Sequence, residues 1–292
     1  MNGIILIDKP QEWTSHDVVG KLRRLLRERR IGHSGTLDPM ATGLLVVFVG
    51  RATRAVEFAE SDEKQYIAGL RLGVETDTQD ITGTVLQETE CNVTEAQLRE
   101  VLPRFMGEID QIPPMYSAIK VNGQKLYDIA RKGGEVERKA RRIIIHALEL
   151  ADNSHLEEGD FCLDVTCSKG TYIRTLCRDI GEALGVGGTM SSLRRVRAGG
   201  FHLKDALTLE QVAQAAEEGR AEELLLPVDS LFSAFAPMTL TEKQTKRTMV
   251  GGQFSVSEPD GTYRFYDPNG LFLALGKVEQ GTASTIKNFF EV

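Results

Sequence analysis

The stretch "GHSGTLDPMATGLL", Gly32 to Leu45, sets a single carboxylate, Asp38, between a turn rich in glycine and hydroxyl residues and an apolar run ending at Val49. Two kinds of chemistry compete for it. An aspartate before proline commonly closes a turn through its own side chain. A carboxylate among glycines, which let backbone come close to a ligand, can instead serve as a nucleophile or an anionic stabiliser. Beside an apolar strand such a charge needs a partner. The best candidate is Arg174 in "SKGTYIRT", which falls on the first turn of an expected helix and has the planar fork for a bidentate bridge. Tyr66 and Tyr172 are either core aromatics with satisfied hydroxyls or stacking platforms for a nucleobase. His33 lies among glycines, with no second His or Cys at ligand spacing, so no metal site is expected.

These residues must be held by elements the pattern reveals. "GIILIDKP" reads as a buried strand stopped by Pro10. Thr14 or Ser15 can cap a helix carrying Val18, Val19, Leu22, Leu25 and Leu26 at helical spacing. "GLLVVFVG" and "KQYIAGLRL" read as strands, and "TEAQLREV" opens with a capping box from Thr94 to Gln97. Residues 113–142, with prolines, glycines and many basic residues, read as a partly helical, mobile insertion. Beyond about Pro237, short strand candidates alternate with "VGGQ", "PDGT" and "DPNG" turns at small-barrel spacing. The expected class is α+β: a mixed, largely antiparallel sheet flanked by helices in residues 1–236, followed by a small β-barrel-like domain in residues 237–292.

Composition narrows the function. The 292 residues are 41% hydrophobic and 26% charged, as in ordinary globular chains. No apolar run approaches the ~20 residues of a membrane span, and the N-terminus lacks a basic start and a cleavage site, so neither anchor nor signal peptide is expected. The four cysteines form no CxxC pair, which fits idle thiols in the cytoplasm. Neither GxGxxG nor GxxxxGK[ST] stands in a strand-to-helix context, so nucleotide cofactors lose their support. The net charge of −7 argues weakly against a nucleic-acid partner, but the basic residues are clustered. "KLRRLLRERR" holds six of them with one acid, and the insertion and "LRRVR" add two further patches. Each alone reads as a solvated face; together they favour a polyanion site.

The segments "GHSGTLDPMATGLL", "KQYIAGLRLGVETDTQD" and "CSKGTYIRTLCRDIG" closely resemble the signature motifs of the TruB-type tRNA pseudouridine synthases, and "ILIDKP", "PPMYSAIKVNGQKLYDIARKG" and "LRRVRAGGF" match as well. The resemblance runs from Gly3 to about Asp229, and the C-terminal piece resembles the RNA-binding PUA domain. It implies isomerisation of uridine to pseudouridine at position 55, in the T-loop of tRNA, without cofactor or metal. By the same resemblance Asp38 is the catalytic aspartate and Arg174 its partner. Tyr66 stacks on the uracil and is a candidate general base, Tyr172 and Leu193 line the pocket, and His33 enters the RNA loop. Lys9 belongs to a further shared segment and is counted with the substrate-binding residues. The insertion corresponds to a mobile thumb. The partner implied is the T-arm stem-loop, bound by a monomer with no obligatory protein partner. Three rivals remain: a sister enzyme of a guide-RNA particle, which would lack this thumb; a non-catalytic RNA-binding protein; and an Asp-dependent glycosidase, which would need a second carboxylate.

Overall fold

The computed structural model describes residues 1–59, 63–117, 119–121, 123–154 and 156–290. Part of the acidic run after Ala59, Ala118 and Asn122 of the insertion, and the last two residues of the C-terminal segment lie outside the described residues.

In chain order the strands are β1 (Gly3–Lys9), β2 (Ile31–Ser34), β3 (Thr42–Val49), β4 (Lys64–Leu72), β5 (Val74–Thr76), β6 (Val85–Glu88), β7 (Gly107–Gln111), β8 (Lys120–Val121), β9 (Gln124–Lys125), β10 (Arg141–Ala151), β11 (Phe161–Cys167), β12 (Gly188–Ala198) and β13 (Phe201–His202), then β14 (Ala236–Thr239), β15 (Phe254–Ser255), β16 (Gly261–Tyr266), β17 (Phe272–Glu279) and β18 (Thr282–Asn288). The helices are α1 (Ser15–Leu25), α2 (Val56–Ala59), α3 (Glu95–Val101), α4 (Leu126–Ala130), α5 (Ile173–Ala183), α6 (Leu209–Glu217) and α7 (Glu242–Met249).

One sheet runs β1-β3-β12-β4-β11-β10-β7, with β2 on β3 and β13 on β12. Its ladders are antiparallel except for β3 on β12, where Thr42 faces Arg194 and Gly43 faces Arg195. This is the mixed, largely antiparallel architecture expected. β3 is an apolar run because both of its faces are covered. Leu44, Val46 and Phe48 join one core cluster, while Leu45, Val47 and Val49 join another beneath α1 and α6. Alternation across the pleat sorts them. The third cluster lies between α5, α3 and the strands β4, β10, β11 and β12.

The helix starts are fixed locally. Thr14, Thr94 and Thr208 each form a capping box with the residue three places on, at α1, α3 and α6. After β3 the chain is helical to Ala59, mostly as a tight 3₁₀ turn from Gly50 to Ala55 before α2.

The insertion contains the β8–β9 hairpin and α4, and Arg141 and Arg142 already belong to β10. In the C-terminal region the order is β14-β16-β17-β18-β15, a curled five-stranded sheet left open between β14 and β15, so a half-barrel rather than a closed one. It docks through Phe272 and Phe289 onto Phe232 and Phe58 of the larger unit.

Candidate active site

Asp38 stands in the turn between β2 and β3, and the turn does not use its side chain. The Ala41 amide donates to the Asp38 carbonyl at 3.0 Å, which closes the turn through backbone alone. Among the described residues no backbone N–H donates to the carboxylate. The neighbouring chain is pinned from the β1–α1 segment. The Ser15 hydroxyl sits against Leu37, accepting from its amide at 2.9 Å and lying 3.1 Å from its carbonyl. The Glu12 amide donates to the Pro39 carbonyl at 2.8 Å. A fixed backbone with an uncommitted side chain is the arrangement a reagent needs. The expected burial of Asp38 is not found: its side chain is 40% exposed. It opens on a cavity, so water and ligand reach it without apolar burial of the charge.

Arg174 lies on the first turn of α5, whose N-cap is Tyr172. Its Nε is 3.0 Å from Asp38 Oδ2. The bidentate bridge does not form, because the two terminal nitrogens are engaged elsewhere: Nη1 donates to the Thr78 carbonyl at 2.9 Å and Nη2 to the Tyr116 carbonyl at 2.8 Å. Nη1 also lies 3.6 Å from Asp80 Oδ2. Asp80 is in turn fixed by the Thr82 amide and the Thr78 hydroxyl, at 3.0 and 2.9 Å. One buried guanidinium thus ties Asp38 to the loop after β5 and to the root of the insertion.

Asp38, Tyr66, Tyr172, Arg174 and Leu193 line one cavity of ≈ 320 Å³, within the size range of small-ligand sites. β4 supplies Tyr66 and β12 supplies Leu193; α5 and the residue before it supply Arg174 and Tyr172. Gln111 fixes Tyr172 by reading its backbone in both directions, at 2.8 and 3.1 Å. Burial pushes both phenols up. Tyr66 therefore keeps its proton in the free enzyme, which weighs against a phenolate base waiting in the site.

His33 does not line this cavity. It lies on β2, not in a loop, and faces an adjoining space of ≈ 680 Å³ that shares Asp38 and Arg174. His16 packs edge-on against it, with ring centroids 5.7 Å apart. Burial, then His16 and Arg195, push His33 down to about 4, so the ring is neutral. Its Nδ1 is buried without a partner among the described residues.

Lys9 is brought to neither space. It is 0% exposed and its Nζ donates to the carbonyls of Pro10, Trp13 and Pro39, at 2.8, 2.6 and 3.2 Å. Three donors meet three acceptors, which leaves none for a substrate. Burial pushes the ammonium down to about 8, with Asp38 pulling the other way. Lys9 holds the loop that carries Asp38.

Two residues escaped the reading of the sequence. Asp80 ends "KQYIAGLRLGVETDTQD", a segment in which only Tyr66 stands out as a site candidate. Arg195 stood in "LRRVR", taken as a surface patch; it is 1% exposed. Directly opposite Tyr66 on β4 and Gly43 on β3, it donates from Nε to the Leu44 carbonyl and from Nη2 to the Gly35 carbonyl, at 2.7 and 2.8 Å. Its guanidinium carbon is 6.0 Å from the Tyr66 ring centroid. Gly43, at φ +97°, is required here, because a Cβ would lie 2.4 Å from the Arg195 carbonyl oxygen.

The family model for the N-terminal domain of TruB family pseudouridylate synthases matches residues 23–173. The chain belongs to that family. It is a pseudouridine synthase, an isomerase. A second model, the tRNA pseudouridylate synthase B C-terminal domain, matches residues 174–233. A relative named tRNA pseudouridine synthase B from Bacillus cereus is 43% identical over 283 residues, 94% of this chain and 92% of its own. One of the same name from Clostridium perfringens is 40% identical over 96% of both chains. Among solved structures, a chain of a Cbf5–Nop10–Gar1 complex is 26% identical with a TM-score of 0.75, covering 99% of this TruB-family chain and 85% of its own. A chain of an H/ACA RNP bound to a substrate RNA, at 24% identity and a TM-score of 0.74, shares the fold. Among the described residues of this TruB-family enzyme no group of His, Cys, Asp and Glu is placed to hold a metal, and no helix is long and apolar enough to cross a membrane.

Proposed function

We propose that the enzyme converts uridine to pseudouridine at position 55, in the T-loop of tRNA, acting alone in the cytoplasm as a monomer without metal or cofactor. One observation carries the reading. A half-buried carboxylate, spared by its own turn, stands 3.0 Å from a buried guanidinium in a cavity that two tyrosines and Leu193 complete. The names of the curated relatives support tRNA as the substrate.

A uridine in a folded loop is unreachable until it is flipped out. In this reading the uracil enters the Asp38 cavity against Tyr66, with Tyr172 and Leu193 as the other walls. The neutral His33 ring enters the loop from the adjoining space and stacks where the base had been. Asp38 then either bonds to the nucleotide or takes a proton from C2′ while the N1–C1′ bond breaks. The uracil turns and C5 bonds to C1′, while the bond to Asp38 is given up or Asp38 returns its proton to C2′. The proton on C5 is then removed, and N1 gains one. Residues 113–142 act as a thumb over the RNA. The larger unit, residues 1–236, is the catalytic domain, and residues 237–292 form a PUA-like RNA-binding domain in which α7 exposes Lys243, Lys246 and Arg247.

The test is incubation of the pure protein with an unmodified tRNA transcript and with a bare T-arm stem-loop, followed by mapping of pseudouridine. Conversion of one T-loop uridine in both, with no guide RNA, is the expected result. No pseudouridine in either RNA refutes the substrate assignment.

A further inference from the structure

The cavity contains a charge that the proposed reaction has so far left unused. Arg194 and Arg197 on β12 meet carboxylates, Asp8 at 2.7 Å and Glu63 at 3.5 Å. Arg174 meets Asp38 and Asp80. Arg195, the most deeply buried of the four, has no carboxylate oxygen within 4.0 Å among the described residues. Its Nε and Nη2 donate to two carbonyl oxygens, which cancel no charge. A buried cation without a counter-ion is costly. A fold keeps one where an anion will appear.

The reaction supplies such an anion. When the N1–C1′ bond breaks heterolytically, the bonding pair stays with the uracil and spreads over N1, O2 and O4. On the sugar side, C1′ is either captured by an Asp38 oxygen or relieved by loss of the C2′ proton to Asp38. Both routes place the same negative charge on the detached base. It persists until C5 attacks C1′, which displaces the Asp38 oxygen or draws the C2′ proton back from Asp38; C5 then gives up its proton and N1 gains one. We propose that Arg195 is the standing counter-charge for this detached uracil anion, acting across the wall that it shares with Tyr66. This rests on the cavity being where the uracil reacts. A cation already fixed in the cavity wall favours the charge that develops in the transition state and costs nothing to reorient. Its hydrogen bonds to Gly35 and Leu44 hold it there before the anion exists.

The test compares wild type with Arg195→Gln, which removes the charge and keeps donors, and Arg195→Lys, which keeps the charge. Each is assayed for melting temperature, tRNA affinity and single-turnover rate on a T-arm with uridine or 5-fluorouridine at the target. Fluorine stabilises the departing uracil anion, so it lessens the need for a counter-charge. For Gln the expected loss on uridine is about 100-fold or more, with tRNA affinity within about three-fold. That loss should shrink by about ten-fold on 5-fluorouridine, read as disappearance of the fluorinated nucleoside. Lys should retain more activity than Gln. Equal losses on both substrates, tracking a lowered melting temperature, would make Arg195 only a structural keystone and overturn the proposal. Wild-type rates in the Gln variant would do the same. Should the Gln chain fail to fold, the Lys variant decides by whether its defect depends on the leaving group. An inactive wild type would instead indict the substrate reading.

Discussion

At the scale of single residues, what distinguishes Asp38 is what it does not do. Its turn closes through the Ala41 amide, so the carboxylate is available for chemistry. Asp38→Asn should lower turnover on the order of 10⁴-fold with tRNA binding intact, measured in single turnover on a preparation checked for deamidation. Arg174→Lys should lose about 100-fold or more. A single ammonium nitrogen cannot stand at once where Nε, Nη1 and Nη2 meet Asp38 and the carbonyls of Thr78 and Tyr116. His33 offers a pH signature. Its folded value lies near 4 against a usual value of 6.5. Between these pH values the unfolded chain binds a proton that the folded chain refuses, so stability falls as pH drops through the window. His33→Gln should flatten that decline in melting temperature between pH 7 and pH 4.5. The sequence made most of these residues legible, because the motifs carrying Asp38, Tyr66, Tyr172, Arg174 and Leu193 converge on one cavity. Arg195 was hidden by its neighbours. In "LRRVR" every arginine looks solvated until β12 is seen to alternate, which places Arg195 on the same face as the buried Leu193. Lys9 misled in the opposite sense: counted with the substrate-binding residues, it spends all its donors on the backbone around the Asp38 turn.

At the scale of elements, the site depends on how the β1–α1 segment grips the β2–β3 turn. The Ser15 hydroxyl, on the first turn of α1, serves both the amide and the carbonyl side of Leu37. Ser15→Ala should cost about 1–3 kcal/mol in stability and lower single-turnover rate more than tRNA affinity, since it frees the backbone that aims Asp38. Equal rates with lowered stability would confine Ser15 to folding. The strands and helices of this region were readable from apolar period and capping residues, and the α1 cap fell on Thr14. The grip was not readable, because a serine inside a helix start carries no mark of a contact 22 residues away in the chain.

At the scale of the whole molecule, the half-barrel is joined to the larger unit by both apolar and polar contacts. Phe232 packs on Phe58, Phe272 and Phe289. Arg51 donates to the Phe290 carbonyl, Arg54 to Asn288, and Lys287 pairs with Glu57 at 2.6 Å. Phe232→Ala should cost about 3–5 kcal/mol and split one calorimetric transition into two. A single, unshifted transition would mean that the aromatic cluster does not couple the units. The distribution of charge also belongs to this scale. Arg24, Arg27, Arg29 and Arg30 are exposed and form no ion pair among the described residues, in a chain of net charge −7. Charge-neutralising changes there and in residues 113–142 should weaken tRNA binding and reduce its salt slope by about 0.7–0.9 for each phosphate that is no longer neutralised. An unchanged slope would place the RNA elsewhere.

The parallel seam between β3 and β12 has a consequence for how the enzyme comes into being. Asp38 lies on one side of it; Tyr66, Tyr172, Arg174 and Leu193 lie on the other. Among the described residues only Arg194 and Arg195 pair across the seam, with Thr42 and Gly43. A chain emerging from the ribosome therefore carries Asp38 within its first forty residues, before the rest of the cavity exists. The site is assembled only when β12, some 150 residues later, slots between β3 and β4. A chain that stops short of β12 lacks the assembled cavity, so formation of the site reports that the central sheet has closed.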